Sequence, residues 1–202
     1  HQGQKLEILI KDNLILKISQ VPSEIDYDKV IDAKGGLVTP GFIDCHTHPI
    51  FYDNRELDFR LRSEGKTYEQ ISHQGGGIKS SIKSVRSSSF EQLLDQSLAR
   101  IELFIKKGTT TIEAKSGYGL TLKDEIKSLE VIKELNKRSA LDIIPTFMGA
   151  HDFPPEYAND KEGYVNLICD EMIPEIADKK LALFCDVFCE KGYFNIKQSE
   201  KI

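Results

Sequence analysis

The chain has 202 residues, 40% hydrophobic and 29% charged, the balance of a globular protein long enough to bury a sizeable core. A net charge of -5 and a pI near 5.6 exclude the basic footprint of a nucleic-acid binder. No apolar run approaches the length of a membrane-spanning helix, and no leader pattern opens the chain, so no membrane partner is expected.

Leu6 to Ile18 reads as a β-hairpin turning at Asp12-Asn13, with Ile8 and Ile10 alternating on one side and Leu14, Leu16 and Ile18 on the other. Val30-Ile31-Asp32-Ala33 reads as a further short strand, stopped by Gly35-Gly36. Residues 1–39 therefore form part of a small antiparallel β domain, a partial β-sandwich, too short to bury a core alone.

From residue 40 the pattern becomes strand and helix in alternation. A first strand runs from Phe42 into Cys45-His46-Thr47-His48. A long excursion follows, rich in glycine (Gly75 to Gly77) and serine (Ser80, Ser81, Ser84, Ser87 to Ser89), and reads as a functional loop. Ser88-x-x-Glu91 is the spacing of a capping box, and Phe90, Leu94, Ile101 and Ile105 form one stripe of a helix that Gly108 ends. Thr109 to Ala114 is a β-branched second strand, followed by Lys115-Ser-Gly-Tyr118-Gly119 and a helix capped by Thr121. Asp142 to Met148 is a third strand leading to Gly149-Ala150-His151, although Pro145 removes a donor within it. Val165, Ile168, Met172 and Ile176 mark a helix over about residues 161–177, and Leu181 to Cys189 reads as a strand buried on both faces. Residues from Asn195 onward begin another helix.

Four strands, each followed by a helix or the start of one, predict an α/β architecture: the first half of a (β/α)8 TIM-type barrel after the β domain, with residues 40–202 in the incomplete barrel. A doubly wound nucleotide binder would carry its Gly-rich turn directly after the first strand, whereas Gly75 to Gly77 lie far downstream. In barrels the chemistry gathers at the C-terminal strand ends, which here carry His46 and His48, Ser116 and Tyr118, His151 and Glu190.

On a strand, His46 and His48 project to the same face, as two ligands of one divalent cation or as a packed or solvated pair. Asp44 shares that face one step deeper, and Glu113 is the other carboxylate nearby in sequence. His151 is a candidate third ligand or substrate donor, while His1 and His73 read as incidental. Arg55 suits a substrate carboxylate or a surface ion pair with Asp53, Glu56 or Asp58. Tyr118, between Gly117 and Gly119, is placed to present its hydroxyl, and Lys115 is either a base or an ion-paired strand-end lysine. Cys45, Cys169, Cys185 and Cys189 form no disulfide framework and read as reduced thiols of a cytoplasmic protein, with Cys185 and Cys189 in the core.

Thr39-Pro-Gly-Phe-Ile-Asp-Cys-His-Thr-His48 resembles the first-strand signature of the amidohydrolase superfamily. Asn54-Arg55, Gly75-Gly-Gly-Ile78, residues 108–120, Thr146-Phe-Met-Gly-Ala-His151 with Pro154 to Tyr157, and Asp186-Val-Phe-Cys-Glu190 narrow the resemblance to the imidazolonepropionase family. That resemblance implies metal-dependent hydrolysis of 4-imidazolone-5-propanoate to N-formimidoyl-L-glutamate in histidine degradation. It makes His46 and His48 ligands of one zinc or iron ion and Arg55, Tyr118, His151 and Tyr68 substrate contacts, Arg55 facing the propionate. It also implies a homodimer for the complete enzyme, and places the remaining ligands and the catalytic acid and base beyond Ile202, so that this chain is a truncated form of low activity. The first residue, His1 rather than Met, also reads as a fragment. Two competing readings remain: another cyclic-amide hydrolase or deaminase of the superfamily, and a non-catalytic half-barrel that binds or pairs with a partner.

Overall fold

A computed structural model describes residues 6–20, 26–67, 70–71 and 76–202, which fall into two compact units, one up to Pro40 and one from Gly41.

In the first unit β1 (Glu7–Lys11) and β2 (Leu14–Ser19) pair antiparallel. Asp12 and Asn13 take φ of 50° and 64°, the left-handed pair that a two-residue hairpin turn needs to match strand twist. Leu9 pairs with Lys17 and Ile10 with Ile15, so β2 bulges at Leu16. The strand expected at Val30–Ala33 does not form. Val30 and Ile31 are 74% and 81% exposed, and a strand needs a neighbour; among the described residues the sheet of this unit has only β1 and β2. What forms instead is a turn over Ala33–Gly36, closed by Gly36 N donating to Ala33 O at 2.7 Å.

The second unit is built on a parallel sheet of β3 (Phe42–Thr47), β4 (Thr109–Lys115), β5 (Asp142–Ala150) and β6 (Phe184–Val187). Its strands lie side by side in chain order with no reversal, as in a barrel wall and unlike a doubly wound sheet. Between β3 and β4 run α1 (Glu56–Ser63), α2 (Ile78–Ser87) and α3 (Phe90–Lys106); α4 (Leu122–Arg138) joins β4 to β5. The excursion read as a loop thus contains α1 and α2 among its described residues. Serine obscured α2, whose Ile78, Ile82 and Val85 nonetheless keep helical spacing and are buried. The capping box of α3 is shifted one residue from expectation: Ser89, not Ser88, accepts from Gln92 N, and the Gln92 side chain returns to Ser89 N.

Residues 161–178 form one helical rod: α5 (Lys161–Leu167), a π-turn (Ile168–Met172) and α6 (Ile173–Asp178). Pro174 explains the widening, because its ring crowds the carbonyl four residues back and it offers no N–H. Val165, Ile168, Met172 and Ile176 are all buried as their spacing predicts. A last helix, α7 (Ile196–Lys201), starts at an Asn195–Gln198 capping box.

The core lies between the sheet's outer face and these helices. Ile112 and Ala114 of β4, and Ile143 and Phe147 of β5, meet Leu93, Leu94 and Ile101 of α3, Leu129, Ile132 and Leu135 of α4, and Tyr164 of α5. Each such aliphatic side chain withdrawn from water contributes about 1.5–3 kcal/mol. Pro145 fits the inner strand β5 because its polar side faces β6. Its carbonyl accepts from Leu183 N at 2.9 Å, and strand pairing there begins only at Thr146 with Phe184, so no ladder bond is lost. The expectation for β6 itself is overturned. The strand covers only Phe184–Val187, and Leu183 and Phe184 are 70% and 61% exposed. β6 ends the sheet among the described residues, so it has a neighbour on one side only.

Candidate active site

β3 delivers His46 from within the strand and His48 immediately after it, and their ring centroids lie 5.4 Å apart. Thr47, between them, points into the wall and donates from Oγ1 to Glu113 O at 2.6 Å, which fixes the alternation. The segment leaving His48 is held by Arg100 of α3, which donates to the carbonyls of Pro49, Phe51 and Tyr52 and lies 3.5 Å over the Phe51 ring. Burial pushes the Arg100 guanidinium down to about 10, which still leaves it charged at neutral pH.

His48 is the centre of the cluster. Its Nδ1 is 2.9 Å from Ser116 O, and a carbonyl only accepts, so Nδ1 carries the hydrogen. Burial, then the neighbouring His151 and His46, push its pKa down to about 3, so the ring is neutral and Nε2 bears a lone pair. That Nε2 is buried without a hydrogen-bond partner among the described residues. An orphaned polar atom of this kind costs about 1–3 kcal/mol unless something else occupies it. A divalent metal fits, since metal-binding imidazoles commonly donate their other N–H to a backbone carbonyl.

His151, just after β5, stacks on His48 at 4.5 Å and an interplanar angle of 11°. Its Nδ1 donates to Gly117 O at 2.8 Å, and burial lowers its pKa against that bond. Tyr118 lies 5.0 Å from His48 and 5.3 Å from His151, with the Arg55 guanidinium 5.6 Å from its ring centroid. Arg55 donates through Nε and Nη2 to Ser81 Oγ at 3.0 and 2.8 Å, and makes no ion pair among the described residues. The alternative of a surface ion pair is therefore not what forms; Asp58 instead accepts from Gly77 N.

Five residues picked from the sequence, His46, His48, Arg55, Tyr118 and His151, thus come together; Tyr68, and His73 and His1, lie outside the described residues. Below them sits a polar layer. Lys115 is buried and paired with Glu113 at 2.7 Å and Asp186 at 2.8 Å, while Thr146 Oγ1 donates to Glu113. Burial opposes the Lys115 charge, but the two carboxylates outweigh it and raise its pKa. Lys115 and Glu113 are thus an ion pair, not free bases. Asp44 accepts from His46 N at 3.4 Å, and Glu190 accepts from the amide of Lys191. All four thiols are free, with Cys45, Cys185 and Cys189 exposed, which corrects the core expectation for the last two; burial of the Cys185 sulfur still pushes it up to about 11. No group of three or more His, Cys, Asp or Glu side chains among the described residues is placed to hold a metal ion. Arg100 and Glu125, which support the cluster, went unread in the sequence, and Ser81 was read only as one serine of a functional loop.

This arrangement has counterparts in known proteins. Residues 29–77 match the family described as the amidohydrolase family. The backbone is similar to a 5-methylcytosine deaminase from Klebsiella pneumoniae (TM-score 0.57, 18% identity, 93% of this chain and 48% of that one), a likeness of fold alone. Fold and site together resemble the first half of an amidohydrolase. Among the proteins it is similar to in sequence are imidazolonepropionases. It is 45% identical to the imidazolonepropionase of Thermoanaerobacter pseudethanolicus over 195 residues (96% of this chain, 47% of the relative). With that of Brevibacillus brevis it shares 50% over 174 residues (86% and 41%). The chain spans about half the length of the curated relatives it matches. No helix among the described residues is long and apolar enough to cross a membrane.

Proposed function

We propose that the complete protein hydrolyses the ring amide of 4-imidazolone-5-propanoate to N-formimidoyl-L-glutamate, and that this chain supplies its substrate-binding wall and two of its metal ligands. The observation that carries the reading is the convergence of Arg55, Tyr118 and His151 on His48, whose buried Nε2 has no hydrogen-bond partner among the described residues.

His46 and His48 would hold one zinc or iron ion. Such an ion supplies Lewis acidity at the ring carbonyl and makes water a usable nucleophile near neutral pH. This chain's own residues do the rest of the binding. Ser81 holds one edge of the Arg55 guanidinium through Nε and Nη2, while Nη1 has no partner among the described residues and faces the role of carboxylate donor. Tyr118 and the neutral His151 supply a flat aromatic wall and polar atoms for a planar five-membered ring. The carboxylate-bearing small molecule, the cytoplasmic location and a homodimer for the complete enzyme belong to the same reading, as do the boundary between a β-sandwich part over 1–39 and a barrel part over 40–202, and the low activity of this half alone.

The binding half of the reading is testable on this chain. Imidazole-4-propionate, which carries a comparable ring and acid arm, should shift the NMR signals of Tyr118 and His151, and Arg55→Ala should abolish those shifts. Shifts that survive Arg55→Ala unchanged, or none in the wild type at millimolar ligand, would count against it.

A further inference from the structure

Glu125 lies at the start of α4, fully buried, and its carboxylate reaches back over the 116–120 turn. Oε1 accepts from Gly119 N at 2.8 Å and Leu120 N at 2.9 Å; Oε2 accepts from Gly117 N at 3.0 Å. The Ser116 hydroxyl bonds the same carboxylate and accepts from Met148 N at 3.0 Å. Burial pushes the Glu125 carboxyl up, and these donors work in the opposite direction by holding the charged form.

Gathering three amides onto one carboxylate fixes how the peptide planes of the turn face, and so where its carbonyls point. Ser116 O accepts from His48 and Gly117 O from His151. Two further carbonyls are held from the other flank: Arg86 donates to Gly119 O at 2.7 Å and Leu120 O at 3.3 Å while pairing with Glu156. The glycines are what permit so tight a wrap. A Cβ on Gly119 would lie 2.5 Å from the Asp124 carbonyl carbon and 2.7 Å from Glu125 N.

We propose that Glu125 is a positioning residue. Through the 116–120 amides it holds two carbonyls so that His48 and His151 both keep their proton on Nδ1 and present Nε2. This rests on the reading that those two rings line the site. Neutral imidazole left to water samples both tautomers, so the fixed state has to come from the partner at Nδ1. Among the described residues, this turn supplies that partner to both rings.

The test reads tautomers directly, without metal or substrate. In the 15N-labelled chain at pH 8.5, long-range 1H–15N spectra should show His48 and His151 as single Nδ1–H species. Glu125→Gln places a donor where two acceptor atoms faced three N–H groups, so both rings should change to mixtures of tautomers. Glu125→Asp, which keeps the charge one methylene short, should restore part of the Nδ1–H population. A role confined to stability would lower the melting temperature of both variants and leave both rings wholly Nδ1–H; that outcome overturns the proposal. So does an Nε2–H state of either ring in the wild type, which needs no variant to fold. Because the hydrolase reading is tested by ligand and turnover, it can fail while this result stands, and the reverse.

Discussion

Replacing Gly117 by alanine should destabilise the chain strongly. Two costs combine there. Gly117 has φ of +106°, which side-chain-bearing residues rarely adopt, at about 1–3 kcal/mol. A Cβ would also stand 2.8 Å from Met148 O and 3.0 Å from both Cβ and Nδ1 of His151, adding about 1–3 kcal/mol of overpacking. The sum, about 2–6 kcal/mol, is a large part of the stability of an ordinary domain. Two other glycines separate the terms. Gly65, with φ of +82° and nothing within 4 Å of its Cβ position, should show the backbone cost alone. Gly119 has its clash without a positive φ and should show the packing cost alone. The assay is urea unfolding of the three variants followed by circular dichroism. If Gly117→Ala costs no more than Gly65→Ala, the close fit between this turn and His151 is wrong.

Other consequences are as definite. Arg55→Ala, in a complete enzyme carrying this chain, should raise KM about 10–150-fold from the loss of one charge-assisted contact of about 1.5–3 kcal/mol; a KM that stays put would favour a neutral heterocycle and the deaminase-like alternative. His48→Ala should weaken zinc binding by this chain at least about tenfold by calorimetry, and equal affinity would remove His48 from the metal site. Lys115→Met should cost about 1–3 kcal/mol by leaving Glu113 and Asp186 facing one another, less than for a fully buried pair because Asp186 is partly solvated. The pH dependence has a definite sign. Lys115 is raised in the folded state, so its contribution is fully present below the unfolded value of 10.5 and lost as pH rises through the higher folded one. The gap in melting temperature between wild type and Lys115→Met should therefore be constant at neutral pH and narrow above pH 10.5; a gap that widens there contradicts the ion pair.

Much of this was legible in the sequence because period and caps are local. The hairpin turn at Asp12-Asn13, the cap at Thr121, the helix beginning near Asn195 and the stripe Val165, Ile168, Met172 and Ile176 all follow from the residues themselves. The cluster was legible because barrel strands expose their C-terminal ends, so residues far apart in sequence could be placed on one rim. What failed depended on neighbours. Val30–Ala33 has strand composition but nothing described beside it, and Leu181–Cys189 was read as doubly buried although β6 ends the sheet. Helix α2 was hidden because serine reads as loop, and its three apolar positions were outvoted. Glu125 was missed for a different reason. An acidic residue in the first turns of a helix reads as a partner of the helix dipole, and nothing local shows that a glycine-rich turn will close over it.

The most direct test of the functional claim is turnover. This chain, joined to the part of the Thermoanaerobacter pseudethanolicus relative that it does not cover, should form a metal-loaded hybrid that consumes 4-imidazolone-5-propanoate and releases N-formimidoyl-L-glutamate, while the chain alone does neither. A folded, metal-loaded hybrid that leaves 4-imidazolone-5-propanoate intact would contradict the account.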